Sequence, residues 1–210
     1  MNASFHTIVH GSKSAILCFG GMSLQFGGIP PFEWLRYLST TYTNACDLYF
    51  FIDRNQCWYH KGIQDITTNI DDTVEYLNSV IEHGKYEHVV CMGTSAGGYG
   101  AILFGSLCKN VHSVIGFVPQ TILTNPIDRK YSNLQSVINT TTNYIVHGDT
   151  LVSNRNELHH IFHCENIEHF PNVKVIRHSG CHMKQLRDSG VIQQSLDDIL
   201  FCKVRCQPER

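Results

Sequence analysis

The stretch CMGTSAGGYG, residues 91–100, places one serine between two glycines directly after an apolar run. Ser95 has Gly93 two positions before it and Gly97 two positions after it, which fits the pattern GxSxG. A strand that turns this tightly into a helix forces the residue between them into a strained backbone conformation and exposes its side chain, so its neighbours must be small. The stretch therefore predicts a nucleophilic serine at a strand-to-helix turn.

The same short pattern has plainer explanations. Ser95 could cap a helix in a glycine-rich turn, and the motif alone leaves that alternative open. A phosphate-binding loop is disfavoured, because neither GxGxxG nor GxxxxGK[ST] occurs in the chain. Partner residues later in the sequence would favour a catalytic serine over a helix cap.

Length and composition predict that residues 1–210 form a single domain. The chain has 42% hydrophobic residues and a formal net charge of −2, and this balance gives no support to a nucleic-acid partner. The opening MNASFHTIVHGSKS lacks the pattern of a secretory signal, and no apolar run approaches the roughly 20 residues of a membrane span. We expect a soluble protein without a membrane span.

The nine cysteines do not form a disulfide pattern. An odd number without a signal sequence favours reduced thiols, and Cys18 and Cys91 lie in strand-like apolar runs where a thiol acts as a small hydrophobe. Cys202 and Cys206 are the only close pair, and zinc there is disfavoured because a second ligand pair is missing. We expect a cytoplasmic location.

Apolar runs of strand length alternate with stretches of helical periodicity. The predicted strands cover residues 15–19, 47–52, 88–92, 112–118, 144–147 and 173–177, and helical spacing covers 32–42 (opened by Pro30 and Pro31), 66–81 and 191–200. Strands that are apolar throughout and alternate with helices are typical of a parallel sheet covered on both faces. The prediction is an α/β fold, with residues 5–11 as an antiparallel edge strand.

Two partner residues follow later strands. Asp149 comes directly after the run 144–147, and His182 follows the run 173–177. Ligands of open parallel sheets bind beyond the carboxyl ends of the strands, where these residues are expected to lie. Each could be an ordinary loop residue, but the order Ser95, Asp149, His182 is that of the α/β-hydrolase triad. The conjunction predicts a catalytic triad.

With these residues identified, the chain resembles a compact α/β hydrolase from ILCFGG (16–21) to GCHMKQLRDSG (180–190), through the elbow GTSAGG and the segment HGD. The resemblance implies a mainly parallel sheet with helices on both faces and a minimal or absent lid. It also implies acyl-enzyme chemistry on a small or medium-sized carboxylic ester or thioester, with Ser95 attacking, His182 carrying the proton and Asp149 orienting the imidazole. We expect no cofactor and no metal. Acyl transfer, amide cleavage and a non-catalytic binding protein stay open as alternatives.

An oxyanion hole would complete this chemistry. One donor is expected from the backbone N–H of Ala96, next to the nucleophile. The second is expected from the loop after the first core strand, at Gly21 or Met22. A simple glycine turn would explain that loop equally well.

Candidate substrate contacts come from two loops. The loop after residues 47–52 offers a pocket wall and cations for an anionic group, although simple packing of its aromatic residues is an equally good explanation. Gln120, at a strand end, lies in the segment 119–143, where such folds often insert a lid. The candidates are Trp58, Tyr59 and His60 for the wall, Arg54 or Lys61 for an anion, and Gln120.

Two other features of the sequence do not predict a site. His159 and His163 are four residues apart, but without HExxH or a third ligand a polar helix face is favoured over a metal site. Cys181 adjoins His182, and adjacent loop residues rarely bring both side chains into register. Ser95 remains the predicted nucleophile.

Overall fold

Seven strands form one sheet in the structure, a computed structural model that describes residues 3–22 and 32–201. The sheet order is β1-β3-β2-β4-β5-β6-β7; β1 pairs antiparallel with β3, and every other pairing is parallel. The strands are β1 (Phe5–Ile8), β2 (Ser14–Phe19), β3 (Asp47–Phe51), β4 (His88–Thr94), β5 (Ser113–Phe117), β6 (Asn143–Asp149) and β7 (Val173–His178). The predicted parallel sheet and its antiparallel edge are confirmed.

The described residues form six α-helices. They are α1 (Leu35–Thr41), α2 (Ile70–Gly84), α3 (Ala96–Leu107), α4 (Phe162–Glu165), α5 (Met183–Asp188) and α6 (Val191–Leu200). Helix α2 begins later than its apolar spacing predicts, because the Asn69 side chain caps it by accepting from the N–H of Asp72. No described helix is long and apolar enough to cross a membrane. Pro30 and Pro31 lie outside the described residues.

Alternate strand residues face two separate cores. Leu17 and Cys91 point towards α2 and α3, whereas Ile16 and Met92 point towards α1, α5 and α6. Helix α3 is buried almost throughout, so its segment AILFGSL is apolar on all sides rather than amphipathic. The sheet therefore has helices on both faces, as predicted, and the carboxyl ends of its parallel strands form one edge.

The cysteines of the described chain carry free thiols. Six of them are buried and Cys57 is partly buried, while Cys202 and Cys206 lie outside the described residues. Burial raises the pKa of the Cys46, Cys108, Cys164 and Cys181 thiols to about 12. These thiols serve as core residues rather than nucleophiles.

Candidate active site

Ser95 occupies the turn between β4 and α3. Its backbone has φ 57° and ψ −119°, a conformation that residues with a side chain rarely adopt and that costs on the order of 1–3 kcal/mol. The N–H of Ser95 donates to the Phe117 carbonyl at 2.9 Å, which fixes the turn against β5. The tight turn places the hydroxyl at the carboxyl edge of the sheet.

Gly93 and Gly97 allow the backbone segments around this turn to approach each other. A Cβ at Gly93 would lie 2.3 Å from the carbonyl oxygen of Gly97, and a Cβ at Gly97 would lie 2.1 Å from the carbonyl oxygen of Phe19. Real side chains do not tolerate such distances, so both positions require glycine. The close approach also brings the loop after β2 against the first turn of α3.

That loop carries the two residues predicted for the second oxyanion donor. Gly21 lies beside Thr94, whose carbonyl oxygen would be 3.4 Å from a Cβ at Gly21, and both Gly21 and Met22 line the cavity that contains Ser95. The carbonyl of Met22 accepts from the Gln56 side chain at 2.7 Å. Ala96 is the first residue of α3, where N–H groups have no partner within the helix.

Two side chains contact the hydroxyl of Ser95. The Nε2 atom of His159 lies 2.8 Å from Oγ, and the amide nitrogen of Gln120 donates to Oγ at 3.0 Å. Gln120 donates into the oxygen, and in the tautomer of His159 that leaves Nε2 unprotonated the hydroxyl proton of Ser95 can be donated to that nitrogen. Loss of hydration lowers the pKa of His159, although the charges of Asp149 and Glu157 oppose the shift. The spacing of His159 and His163 suggested only a metal ligand or a polar helix face, so this contact was not predicted.

Asp149 and His182 lie at the same edge of the sheet. The Asp149 carboxylate accepts from the N–H groups of Cys181 at 2.8 Å, Leu151 at 2.8 Å and Gly180 at 3.1 Å. Burial acts to raise the pKa of Asp149, but these three donors and the nearby His182 outweigh it and lower the pKa below its usual range. Asp149 therefore fixes, as a carboxylate, the loop that leads to His182.

His182 shares a cavity with Ser95 without bonding to it. The cavity has a volume of about 620 Å³ and includes both residues in its lining. Among the described residues, His182 makes no side-chain hydrogen bond with Ser95 or Asp149, and its side chain is exposed. The structure thus brings the three predicted residues to one edge, and their catalytic roles stay a prediction.

Glu33 also lines this cavity, called the nucleophile cavity below, and no sequence pattern indicated it. It lines the cavity together with Thr94, the residue before the nucleophile. Burial raises the pKa of Glu33 to about 7, with the Thr94 side chain opposing the shift. A carboxyl group that is partly neutral at physiological pH can both donate and accept hydrogen bonds.

Gln120 reaches Ser95 from a strained strand end. Val118, directly after β5, has φ 41°, which is an outlier for a β-branched residue, and its N–H donates to the His147 carbonyl at 2.7 Å. The Gln120 side chain is 2% exposed and accepts a hydrogen bond from Nε1 of Trp58. Trp58 thereby holds the amide group that touches the nucleophile.

The loop that carries Trp58 is folded around Asp53. The Asp53 carboxylate accepts from the N–H of Cys57 at 2.6 Å and of Tyr59 at 2.9 Å. Trp58 and Tyr59 both have positive φ, at 57° and 63°, and the two adjacent rings have different surroundings. Trp58 reaches the cavity, whereas Tyr59 is buried and donates to the Gly20 carbonyl at 2.8 Å.

The other predicted substrate contacts lie away from the nucleophile cavity. Nε2 of His60 lies 2.9 Å from the Tyr99 hydroxyl, within the core. The Arg54 guanidinium donates to the Ala3 carbonyl at 2.7 Å. Of the predicted contacts, the structure therefore brings Trp58 and Gln120 to the cavity, whereas Tyr59, His60 and Arg54 do not line it.

The expected polar helix face at His159 and His163 is wrong. Helix α4 covers only Phe162–Glu165, so His159 precedes it and is free to reach Ser95. His163 is buried, and burial lowers its pKa to about 4, with His159 and His160 adding to the shift. No cluster of three metal-ligating side chains occurs within residues 3–22 and 32–201.

The sequence matches no protein-family model and no curated protein. Solved structures are similar in shape. Esterase 2 of Thermogutta terrifontis, phosphoramylated by tabun, is 12% identical with a TM-score of 0.61, over 94% of this chain and 89% of that chain. A 2,6-dihydroxy-pseudo-oxynicotine hydrolase is 11% identical with a TM-score of 0.66, over 99% and 70%. MenH from S. aureus is 9% identical with a TM-score of 0.57, over 93% and 96%.

These likenesses extend over nearly the whole chain at low sequence identity, so they establish its architecture. Together with the parallel sheet, the helices on both faces and the turn at Ser95, they show that the chain has the α/β-hydrolase fold.

Proposed function

We propose that the chain is a serine hydrolase that cleaves a carboxylic ester or thioester of a small or medium-sized substrate. One observation carries the proposal: a strained serine at the strand-to-helix turn has an imidazole nitrogen 2.8 Å from its hydroxyl oxygen, inside a cavity of about 620 Å³. A helix cap does not require such a partner. The esterases and hydrolases among the structures of similar fold are consistent with this chemistry.

In the proposed reaction, Ser95 Oγ attacks the substrate carbonyl while an imidazole takes the hydroxyl proton. The negative oxygen of the tetrahedral intermediate accepts from the N–H of Ala96 and from that of Gly21 or Met22, and such donors each contribute roughly 3 kcal/mol in studied enzymes. The imidazole then protonates the leaving group, and the acyl-enzyme forms. Water attacks the acyl-enzyme by the same route in reverse.

We assign His182 as the base and Asp149 as the carboxylate that stabilises its charged form. The chain order supports this assignment, as do the cavity that His182 shares with Ser95 and the charge coupling between His182 and Asp149. The exposed His182 side chain is free to change rotamer towards Ser95. His159 is the second candidate, because its Nε2 is the nitrogen that contacts the hydroxyl.

Gln120 acts in this scheme as a positioning residue for the nucleophile. Its amide donates into Ser95 Oγ, so that the serine proton points away from Gln120 and towards an imidazole. The hydrogen bond from Trp58 fixes which end of the amide faces the serine. The substrate contact predicted for Gln120 can coexist with this role, since it also lines the cavity.

The wider assignment follows from the sequence. We propose a cytoplasmic protein with reduced thiols that acts as one domain on a small acyl substrate, without nucleic acid as a partner. Acyl transfer or amide cleavage would use the same residues. A non-catalytic binding protein is the alternative from another class.

A fluorophosphonate probe tests the nucleophile. We expect folded wild-type protein to be labelled at Ser95 in peptide mass spectrometry, and the Ser95→Ala variant to remain unlabelled with a similar melting temperature. Labelling at another residue, or hydrolysis of a short-chain chromogenic ester by Ser95→Ala, would remove Ser95 from its role.

Separate variants identify the base. If His182 takes the proton, His182→Ala should lower kcat by a factor on the order of 10³ or more, as loss of a triad member does, and His159→Ala should retain most activity. The opposite ranking would assign the base to His159. Asp149→Asn should slow the reaction in either case, because both imidazoles feel the Asp149 charge.

A further inference from the structure

A second cavity adjoins the nucleophile cavity. This distal cavity has a volume of about 460 Å³, and it shares Trp58 and Leu158 with the nucleophile cavity. Ile122, Leu123 and Phe162 contribute further apolar wall. Because one pair of side chains separates the two spaces, a molecule whose ester lies at Ser95 can extend past Trp58 into the distal cavity.

Arg155 is the charged residue in the lining of the distal cavity. Its guanidinium lies over the Phe162 ring, 4.2 Å from the centroid, and this contact holds the cation at the cavity. The guanidinium forms no ion pair with a carboxylate of the described chain. His163, which also lines the cavity, has its pKa lowered to about 4 by burial and is neutral at physiological pH.

Polar neutral groups complete the rim. Thr124, Asn125 and Asn156 line the same cavity and are exposed. Hydroxyl and amide groups beside a guanidinium are suited to bind the oxygens of a carboxylate or a phosphate. The cation predicted for such a group was Arg54 or Lys61, but Arg54 is engaged by the Ala3 carbonyl and lines neither cavity.

We propose that the distal cavity binds an anionic arm of the substrate, a carboxylate or phosphate carried beyond the ester, and that Arg155 is the residue that recognises it. This inference rests on the proposed function, because it names the substrate class of the same site. It requires an ester with two arms, one held in the nucleophile cavity and one that passes Trp58.

Paired substrates test the proposal. Chromogenic esters whose acyl chain ends in a carboxylate are compared with their methyl-capped analogues, and a second pair carries a phosphate. Wild-type protein should prefer the anionic member. Arg155→Gln should lower kcat/KM for the anionic member about fivefold, which is about 1 kcal/mol, the upper range for an exposed ion pair, and leave the neutral member unchanged. Arg129→Gln, an exposed arginine outside both cavities, is the matched control.

A binding measurement separates this proposal from the proposed chemistry. Calorimetry of Ser95→Ala protein with the intact anionic ester and with its neutral analogue needs no turnover. We expect tighter binding of the anion, and loss of that preference in the Ser95→Ala, Arg155→Gln double variant. Equal binding of both compounds, or a preference that persists without Arg155, would overturn the inference. Absence of ester hydrolysis together with an intact anion preference would instead contradict only the hydrolase.

Discussion

The exchange of Gln120 for glutamate tests the alignment of the nucleophile with almost no change of shape. In the wild type the Gln120 amide donates into Ser95 Oγ at 3.0 Å, and its carbonyl accepts from Trp58. Glutamate keeps the bond from Trp58 but presents an acceptor to the serine. The Ser95 proton is then drawn to the carboxylate and away from the imidazole.

The size of the effect follows from these two changes. The neutral bond that is lost contributes about 1 kcal/mol, and the new bond to a charged acceptor, which must break before the proton moves, contributes about 1.5–3 kcal/mol. Together they raise the barrier by about 2.5–4 kcal/mol, which corresponds to a roughly 70- to 900-fold lower kcat/KM. Gln64→Glu, an exposed site, should leave kcat/KM unchanged.

The dependence on pH distinguishes positioning from a structural defect. Residue 120 is 2% exposed, so burial is expected to raise the pKa of an introduced carboxyl group. As pH falls through that pKa, the protonated group regains a donor, and the activity of Gln120→Glu relative to wild type should rise. Initial rates on a short-chain ester from about pH 8 to pH 5 provide the ratio. A ratio that stays flat, or a variant as active as Gln64→Glu, would refute the reasoning.

Three further predictions concern the elbow and the sheet. Ser95→Gly should be about 1 kcal/mol more stable to urea than Ser95→Ala, because glycine adopts the positive φ without strain, while both lack activity. Gly97→Ala should lower the free energy of unfolding by about 2–3 kcal/mol, because the added Cβ would lie 2.1 Å from the Phe19 carbonyl oxygen. In the control Gly116→Ala, the atom nearest to the added Cβ would be 3.4 Å away, so the loss should be less than about 1 kcal/mol. Burial, with His178 and Lys174 adding to it, lowers the pKa of His147 from 6.5 to about 3. As the pH falls, His147 is therefore protonated in the unfolded chain before it is protonated in the folded chain. The stability that neutral His147 contributes above pH 6.5 is lost as the pH falls towards 3. About 2 kcal/mol should be lost between pH 7 and pH 5, and urea titrations of His147→Phe should show a correspondingly smaller loss.

The sheet was predictable because its strands are apolar on both faces. Burial between two helix layers leaves no polar alternation, so each run, such as 88–92 or 112–118, stands out from the amphipathic stretches around it. The glycines around Ser95 were equally predictable. They are required by backbone contacts within the turn at Ser95 and between this turn and β2. Local sequence pattern therefore predicted both the fold and the position of the turn at Ser95.

The identity of the groups around the hydroxyl was not predictable in the same way. His159 lies on an irregular segment between Asp149 and α4, and nothing in the spacing of residues 157–165 shows where such a segment runs. Glu33 lines the cavity from the turn before α1. A glutamate at such a position in the sequence indicates only a solvated residue. Both contacts depend on the packing of loops that are distant in sequence. No periodic pattern in the sequence predicts this packing.

The indole of Trp58 separates the two cavities and bonds the amide that touches the nucleophile. The chain contains two tryptophans, and the other, Trp34, is buried against Phe117, with ring centroids 5.5 Å apart. The protein thus contains a natural fluorophore at the junction of its candidate binding spaces. Emission from a Trp34→Phe variant would report occupancy of either space without any label, and its polarity-sensitive wavelength would register whether an arriving ligand excludes solvent from the indole.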